Sequence, residues 1–196
     1  MGSRERDFSA DQTSATDEEL VAASNRGEEW GFEGLYHRYR DWVVSLALRL
    51  TGQESLALDV MQETFIYLLG KFPGFKLTAR MKTFLYPAVK NLSIGARRKA
   101  RRMSGAADDV MESAEARPEG GAALAYQDLI SVVGGLPETH RDVVLMRFVD
   151  GLSLEEIAEV LGIPTGTVKS RLHNAIGMLR EDERVRKYFG RREDGG

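Results

Sequence analysis

Residues 152–179, LSLEEIAEVLGIPTGTVKSRLHNAIGML, read as two short helices bent around a tight turn. Ser153 can cap the first helix, and Glu156 three residues later can return the hydrogen bond, so the backbone N–H groups at that end find partners. Leu154, Ile157, Ala158 and Leu161 recur at helical spacing until Gly162, a residue at ease in the left-handed conformation that ends helices, and Pro164 suits the first turn of the next helix. In that second helix Val168, Leu172, Ala175, Ile176 and Leu179 fall within an arc of roughly 100°, which predicts a buried face. The opposite arc centres on Ser170 and Asn174, flanked by Thr167, Lys169, Arg171 and His173. All are donors or acceptors suited to phosphates and base edges in a major groove, and no carboxylate interrupts them. Many amphipathic helix pairs simply present polar residues to water. A tight Gly-Ile-Pro turn joined to a carboxylate-free polar face points instead to a DNA-reading helix-turn-helix.

Working outward, 196 residues with 42% hydrophobic content suffice for one medium domain or two small ones. Apolar residues repeat at three and four rather than alternating, so the expected class is all-α: two small helical domains joined by a flexible linker. With no cysteine there is neither a disulfide nor a thiolate metal site, and no apolar run approaches the roughly 20 residues that span a bilayer. A cytoplasmic setting without membrane insertion is the simplest expectation. Residues 1–15 lack the apolar core of a signal peptide and are polar enough to be read as a disordered leader.

The formal net charge of −3 hides a separation of charge along the chain. Arg97, Arg98, Lys99, Arg101 and Arg102 form a dense basic run; Asp108, Asp109, Glu112, Glu115 and Glu119 follow in an acidic segment. The first suits phosphates and the second does not. Residues 104–121, rich in Ala, Gly, Glu and Asp with no aromatic, have the composition of a solvated linker, placing one domain over 16–103 and another over 122–190.

In the first domain Thr16 and Glu19 form a capping box for a short helix that Gly27 would end. A second helix follows from about residue 29 to Thr51-Gly52, with Leu35, Tyr39, Trp42, Val43, Leu46 and Leu50 as its apolar stripe. The third takes Glu54 to about Leu69, with Leu58, Met61, Phe65 and Leu68 expected inward and Asp59, Gln62 and Glu63 left outside. Residues 72–81, with Pro73 and Gly74, predict a loop before a fourth helix from Lys82 to Arg102. In that helix Phe84, Tyr86, Lys90 and Asn91 lead into the basic run. Rings beside cations are the ingredients of a single-strand binding surface, where bases stack and cations hold the backbone. Taken alone, Phe84 and Tyr86 would read as core residues.

These residues together resemble the extracytoplasmic-function (ECF) group of the sigma-70 family, the small two-domain bacterial sigma factors. DVMQETFIYLL resembles the family's polymerase-binding helix, TFLYPAVKNLSIGARRKARR its promoter-melting helix, and LPETHRDVV followed by GLSLEEIAEVLGIPTGTVKSRL its C-terminal domain. The resemblance implies that Asp59, Gln62 and Glu63 face the β′ clamp helices of core RNA polymerase, with the β flap as a further contact. It implies that the loop from Phe75 to Met81, including Lys76 and Arg80, cradles a base flipped from the −10 element. Asn91 and Phe84 would then help recognise that element, and Arg97, Arg98, Arg101 and Arg102 would track its phosphates. In the C-terminal helix, Lys169, Ser170, His173 and Asn174 match positions that touch the −35 element, with Thr167 and Arg171 holding phosphates. No catalytic residue, cofactor or metal is implied; an anti-sigma factor is.

Three residues depart from the family pattern. Pro87 lies inside the melting helix and is expected to bend or locally open it; Gly95 stands where aspartate is frequent, and Asn174 where arginine is. Asparagine suits adenine, whereas arginine reads guanine. An enzyme is disfavoured, since His37, His140 and His173 lie in separate helices without metal-ligand spacing, and no nucleophile elbow or phosphate loop occurs. The stronger rival is a dimeric helix-turn-helix regulator that works without polymerase. Such a regulator does not need the aromatic and basic fourth helix. No sensing domain is expected after Tyr188 and Phe189, which favours regulation by another protein.

Overall fold

The computed structural model describes residues 15–104 and 131–190; the leader up to residue 14, residues 105–121 of the expected linker and the stretch to residue 130 lie outside them. The described residues form helices and no strand, in two compact units divided between residues 114 and 115. The first unit holds α1 (Asp17–Asn25), α2 (Glu29–Thr51), α3 (Glu54–Leu69) and α4 (Met81–Ser104). The second holds a helical end over residues 131–134, then α5 (Glu138–Phe148), α6 (Leu154–Leu161), α7 (Thr165–Glu181) and α8 (Glu183–Gly190).

In the first unit α1 starts on the expected box: the Glu19 N–H donates to Thr16 Oγ1 at 3.3 Å, and the Thr16 N–H donates to the Glu19 carboxylate at 2.7 Å. Its Leu20, without exposed surface, seats on α2 where Gly31 and Gly34 leave a notch. A Cβ on Gly31 would lie 2.6 Å from the Leu20 carbonyl oxygen and the Ser24 nitrogen, both backbone atoms. Neither can yield without separating the helices. Gly31→Ala should therefore destabilise this unit by about 2–3 kcal/mol, read as a lowered denaturant midpoint, even though alanine favours helices.

The interior is built from Leu35, Val43, Leu46 and Ala47 of α2, Ala57, Val60, Phe65 and Leu68 of α3, and Met81, Leu85, Tyr86 and Val89 of α4. The expected register of α3 is corrected here. Leu58 is 42% exposed and Met61 half-buried, while Ala57 and Thr64 point inward. Apolar residues occur on nearly every face of ESLALDVMQETFIYLL, so spacing alone does not choose the buried one. Thr64 is tolerated inside because its hydroxyl donates to the Val60 carbonyl at 2.7 Å. Pro87 does not open α4: the helix runs unbroken from Met81 to Ser104. Pro87 itself is exposed, so its ring meets solvent rather than a neighbouring helix. Its missing N–H removes one bond without ending the helix.

In the second unit α6 begins on the Ser153–Glu156 box, with bonds of 3.2 and 2.7 Å, and ends at Gly162 with φ +63°. Pro164 stands one position earlier than expected, as the N-cap of α7. Of the five apolar residues expected to be buried on α7, Val168 and Ala175 are; Leu172, Ile176 and Leu179 are half-buried. Leu172 and Leu179 pack against a small cluster of Leu136, Val144 and Ala175. A unit this short cannot enclose a whole helix face. Arg184 ties α8 back, binding Asp182 through 2.7 and 3.0 Å contacts and Ser131 Oγ at 2.8 Å. Those donors hold the Asp182 carboxyl down at about 2.

Candidate nucleic-acid interface

On α7 the side chains of Lys169, Ser170, His173 and Asn174 are exposed, and Thr167 and Arg171 are half-buried at the edges of the same face. Ser170 Oγ donates to the Thr167 carbonyl at 3.1 Å, leaving its lone pairs outward. The first acid on the helix is Glu181, at its last position. The face therefore combines two cations with neutral hydrogen-bonding groups, and the helix N-terminus adds partial positive charge.

The second surface joins the 72–80 loop to α4. At about 100° per residue, Phe84, Asn91, Arg98 and Arg102 fall within an arc of roughly 40°, forming one stripe about 27 Å long. Asn91, Arg98 and Arg102 are exposed. Gly95 lies in the same stripe, where a Cβ would meet nothing within 4 Å. Arg97 turns away: it is half-buried, and its guanidinium reaches the Leu50 carbonyl at the end of α2, at 3.4 Å. The basic run is thus divided, part of it reserved for the fold.

Phe84 is neither core nor free. Its ring stacks on Tyr67 at 6.0 Å and 17°, and tilts against Phe75 at 4.7 Å. Phe75 in turn meets Phe72 at 5.6 Å, Phe72 meets Phe32 at 6.3 Å, and Phe32 meets Phe65 at 6.4 Å. Lys71 Nζ lies 4.3 Å over Tyr67. Tyr86, by contrast, is 5% exposed and belongs to the core. Met81 also offers nothing to a ligand, since it is fully buried and anchors the far end of the loop. Lys76 and Arg80 are exposed and Phe75 half-buried. Between the loop, α1 and α2 lies a cleft of about 630 Å³, lined by Asp17, Glu18, Arg38, Tyr39 and residues 77–80. Arg38 pairs with Asp17 at 2.7 Å, and the Tyr39 hydroxyl donates to the same carboxylate. Burial first, and that bond second, push the Tyr39 phenol above its ordinary value, so it stays a neutral donor.

One residue that holds this surface carries no signal in the sequence. Asn25, the last residue of α1, accepts from the Gly74 N–H at 2.6 Å and the Phe75 N–H at 2.9 Å, and donates to the Phe75 carbonyl at 2.8 Å. A single asparagine at a helix end looks like any helix stop. Its partners lie about fifty residues away.

The third surface is the outer face of α3. Asp59, Gln62 and Glu63 are exposed together, and Ile66, 69% exposed, continues their face by one turn.

Residues 35–103 match the family model Sigma-70 region 2, and residues 132–181 match Sigma-70, region 4. The chain is 35% identical over 164 residues to the ECF RNA polymerase sigma factor SigL of Mycobacterium tuberculosis, covering 82% of this chain and 93% of that relative. It is 32% identical over 177 residues to the ECF RNA polymerase sigma-E factor of Salmonella typhimurium, covering 82% and 90%. Among solved structures, CnrH in complex with the cytosolic domain of CnrY shares the fold with a TM-score of 0.61 at 22% identity, over 83% of this chain and 93% of that one. The sigma factor RpoE of Bartonella quintana, in complex with the anti-sigma factor NepR, does so with 0.60 at 22%, over 81% and 96%. Two family models in the expected order, and relatives above 30% identity spanning most of both chains, make the protein a member of the ECF RNA polymerase sigma factors of the sigma-70 family, non-enzymatic initiation factors that direct transcription from specific promoters.

Proposed function

We propose that the two units act as the two jaws of a promoter clamp, with α7 docked on the −35 duplex and the α4 stripe with the 72–80 loop holding unpaired −10 bases. The observation that carries this reading is the alignment of Phe84, Asn91, Arg98 and Arg102 on one face of α4, an aromatic-amide-cation series suited to single-stranded DNA. Asn91, Phe75 and Phe84 are the proposed base contacts there; Lys76, Arg80, Arg98 and Arg102 are the phosphate contacts, with Arg101 beside them. On α7, Lys169, Ser170, His173 and Asn174 take bases or nearby backbone, and Thr167 and Arg171 take phosphates. Asp59, Gln62 and Glu63 dock on core polymerase. Residues 104–121 serve as the tether that sets the spacing of the two elements and raises the effective concentration of the second contact once the first is made. Among the described residues no helix is long and apolar enough to cross a membrane. As a sigma factor acting on core polymerase and promoter DNA, the protein is proposed to work in the cytoplasm, on the nucleoid when active. An anti-sigma factor is the proposed regulator, in keeping with RpoE of Bartonella quintana bound to NepR.

The α7 assignment is tested by holoenzyme binding to promoter duplex across a salt series. Lys169→Ala and Arg171→Ala should each reduce the salt slope by about one, and Arg171→Ala should weaken binding to all sequences alike. Asn174→Ala should instead cost about 1–3 kcal/mol at one base pair of the −35 element. Unchanged slopes and preferences in all three would remove α7 from the interface.

A further inference from the structure

We propose that Asn25 is a positioning residue for promoter melting, a carboxamide strap that holds the 72–80 loop in its base-capturing shape before DNA arrives. The proposal rests on the reading of that loop as part of the −10 surface. Asn25 stands at the end of α1 and is half-buried. Its oxygen accepts two backbone N–H groups, from Gly74 and Phe75, and its nitrogen donates to the Phe75 carbonyl. Both main-chain polar groups of Phe75 are thereby fixed by one side chain. A chain with Gly74 at φ +101° has no helix or sheet ladder of its own to fix it.

What the strap fixes is chemical as well as geometric. Holding the Phe75 backbone seats its ring 4.7 Å from Phe84, whose other neighbour is Tyr67. Six residues on, the loop ends at fully buried Met81. Residues 76–80 are therefore suspended between two posts, Phe75 held by Asn25 and Met81 held by the core. With both posts in place the loop is ordered before it meets an unpaired base. Without the first, the same contacts form only after the segment is ordered by DNA, and affinity falls by the entropy of that ordering. Asn25 itself touches no proposed DNA contact other than Phe75, and through its backbone only.

The experiment compares holoenzymes carrying wild type, Asn25→Ala and Asn25→Asp. The probe is a single-stranded non-template oligonucleotide spanning the −10 element, tested with each base at each position. Asn25→Ala should lower affinity about 5- to 20-fold and flatten the base preference, with core-polymerase affinity and −35 duplex binding within twofold. Asn25→Asp keeps both acceptor bonds but sets a carboxylate oxygen against the Phe75 carbonyl in place of the donor, so it should still fall between the two, and it covers the case in which the alanine variant folds poorly. Hydrogen exchange at the Gly74 and Phe75 amides should quicken in the same order. Faster exchange with unchanged oligonucleotide affinity and base preference would overturn the proposal, leaving Asn25 a stabilising contact only. So would a uniform loss of core, duplex and single-strand binding in both variants. Lys76→Ala with Arg80→Ala is run alongside: if that pair leaves oligonucleotide binding untouched, the loop reading itself fails, and the proposal with it.

Discussion

Asp59→Arg combined with Glu63→Arg is expected to lower affinity for core RNA polymerase by about 100-fold or more while leaving the thermal midpoint nearly unchanged. Both side chains sit on the outer face of α3, away from the core carried by Ala57, Val60, Phe65 and Leu68. Surface changes of this kind alter stability by about 0.5 kcal/mol at most, and arginine is a good helix former. At an interface chosen for two carboxylates, two reversed charges place like against like, at several kcal/mol in total. Each 1.4 kcal/mol is about tenfold, which sets the expected loss. Ile66 is exposed on the same face, and an apolar side chain there would give a docking partner a contact that a purely solvated acidic patch lacks. Pull-down or fluorescence titration with purified core polymerase checks the result. Undiminished affinity would detach α3 from polymerase binding.

Asn91→Ala is expected to behave in the opposite way. Core binding and −35 docking should stay intact, while open-complex formation falls about 5- to 150-fold, the range of one lost base-reading amide. The side chain is exposed and mid-helix, and alanine is the better helix former, so no loss of folding offers itself as an alternative cause. Permanganate reactivity of unpaired thymines, beside a polymerase-binding titration, separates melting from assembly. Loss of core affinity, or full melting, would refute the assignment.

Local chemistry made much of this architecture legible. Capping boxes at Thr16 and Ser153, and left-handed stops at Gly52 and Gly162, announce themselves within a few residues, and the helices begin and end where those signals stand. Tertiary choices are less visible. Apolar residues surround α3, so the buried face followed from what α2 and α4 presented, and Leu58 came out exposed. On α7 the apolar arc is visible in the spacing, but whether it is covered depends on how much neighbouring surface a short unit provides. Met81 reads as a loop terminus and proves to be an anchor in the core. The basic run reads as a block of equals, yet helical geometry sends Arg97 to the Leu50 carbonyl while Arg98 shares a face with Asn91. Least legible are the pairings across long stretches of chain: Asn25 with Phe75, and Phe84 between Tyr67 and Phe75. A hydrogen bond or ring contact between distant residues leaves no periodicity behind, so only the folded chain displays it.

The clamp is tested most directly by initiation from a promoter library randomised through both elements, transcribed in vitro by core polymerase with wild type, Asn91→Ala or Asn174→Ala. Wild type should enrich two blocks at a fixed spacing; Asn174→Ala should change preference only in the upstream block, and Asn91→Ala should weaken selection only in the downstream one. Either variant altering the other block, or neither altering any, would contradict the division of promoter reading between α7 and α4.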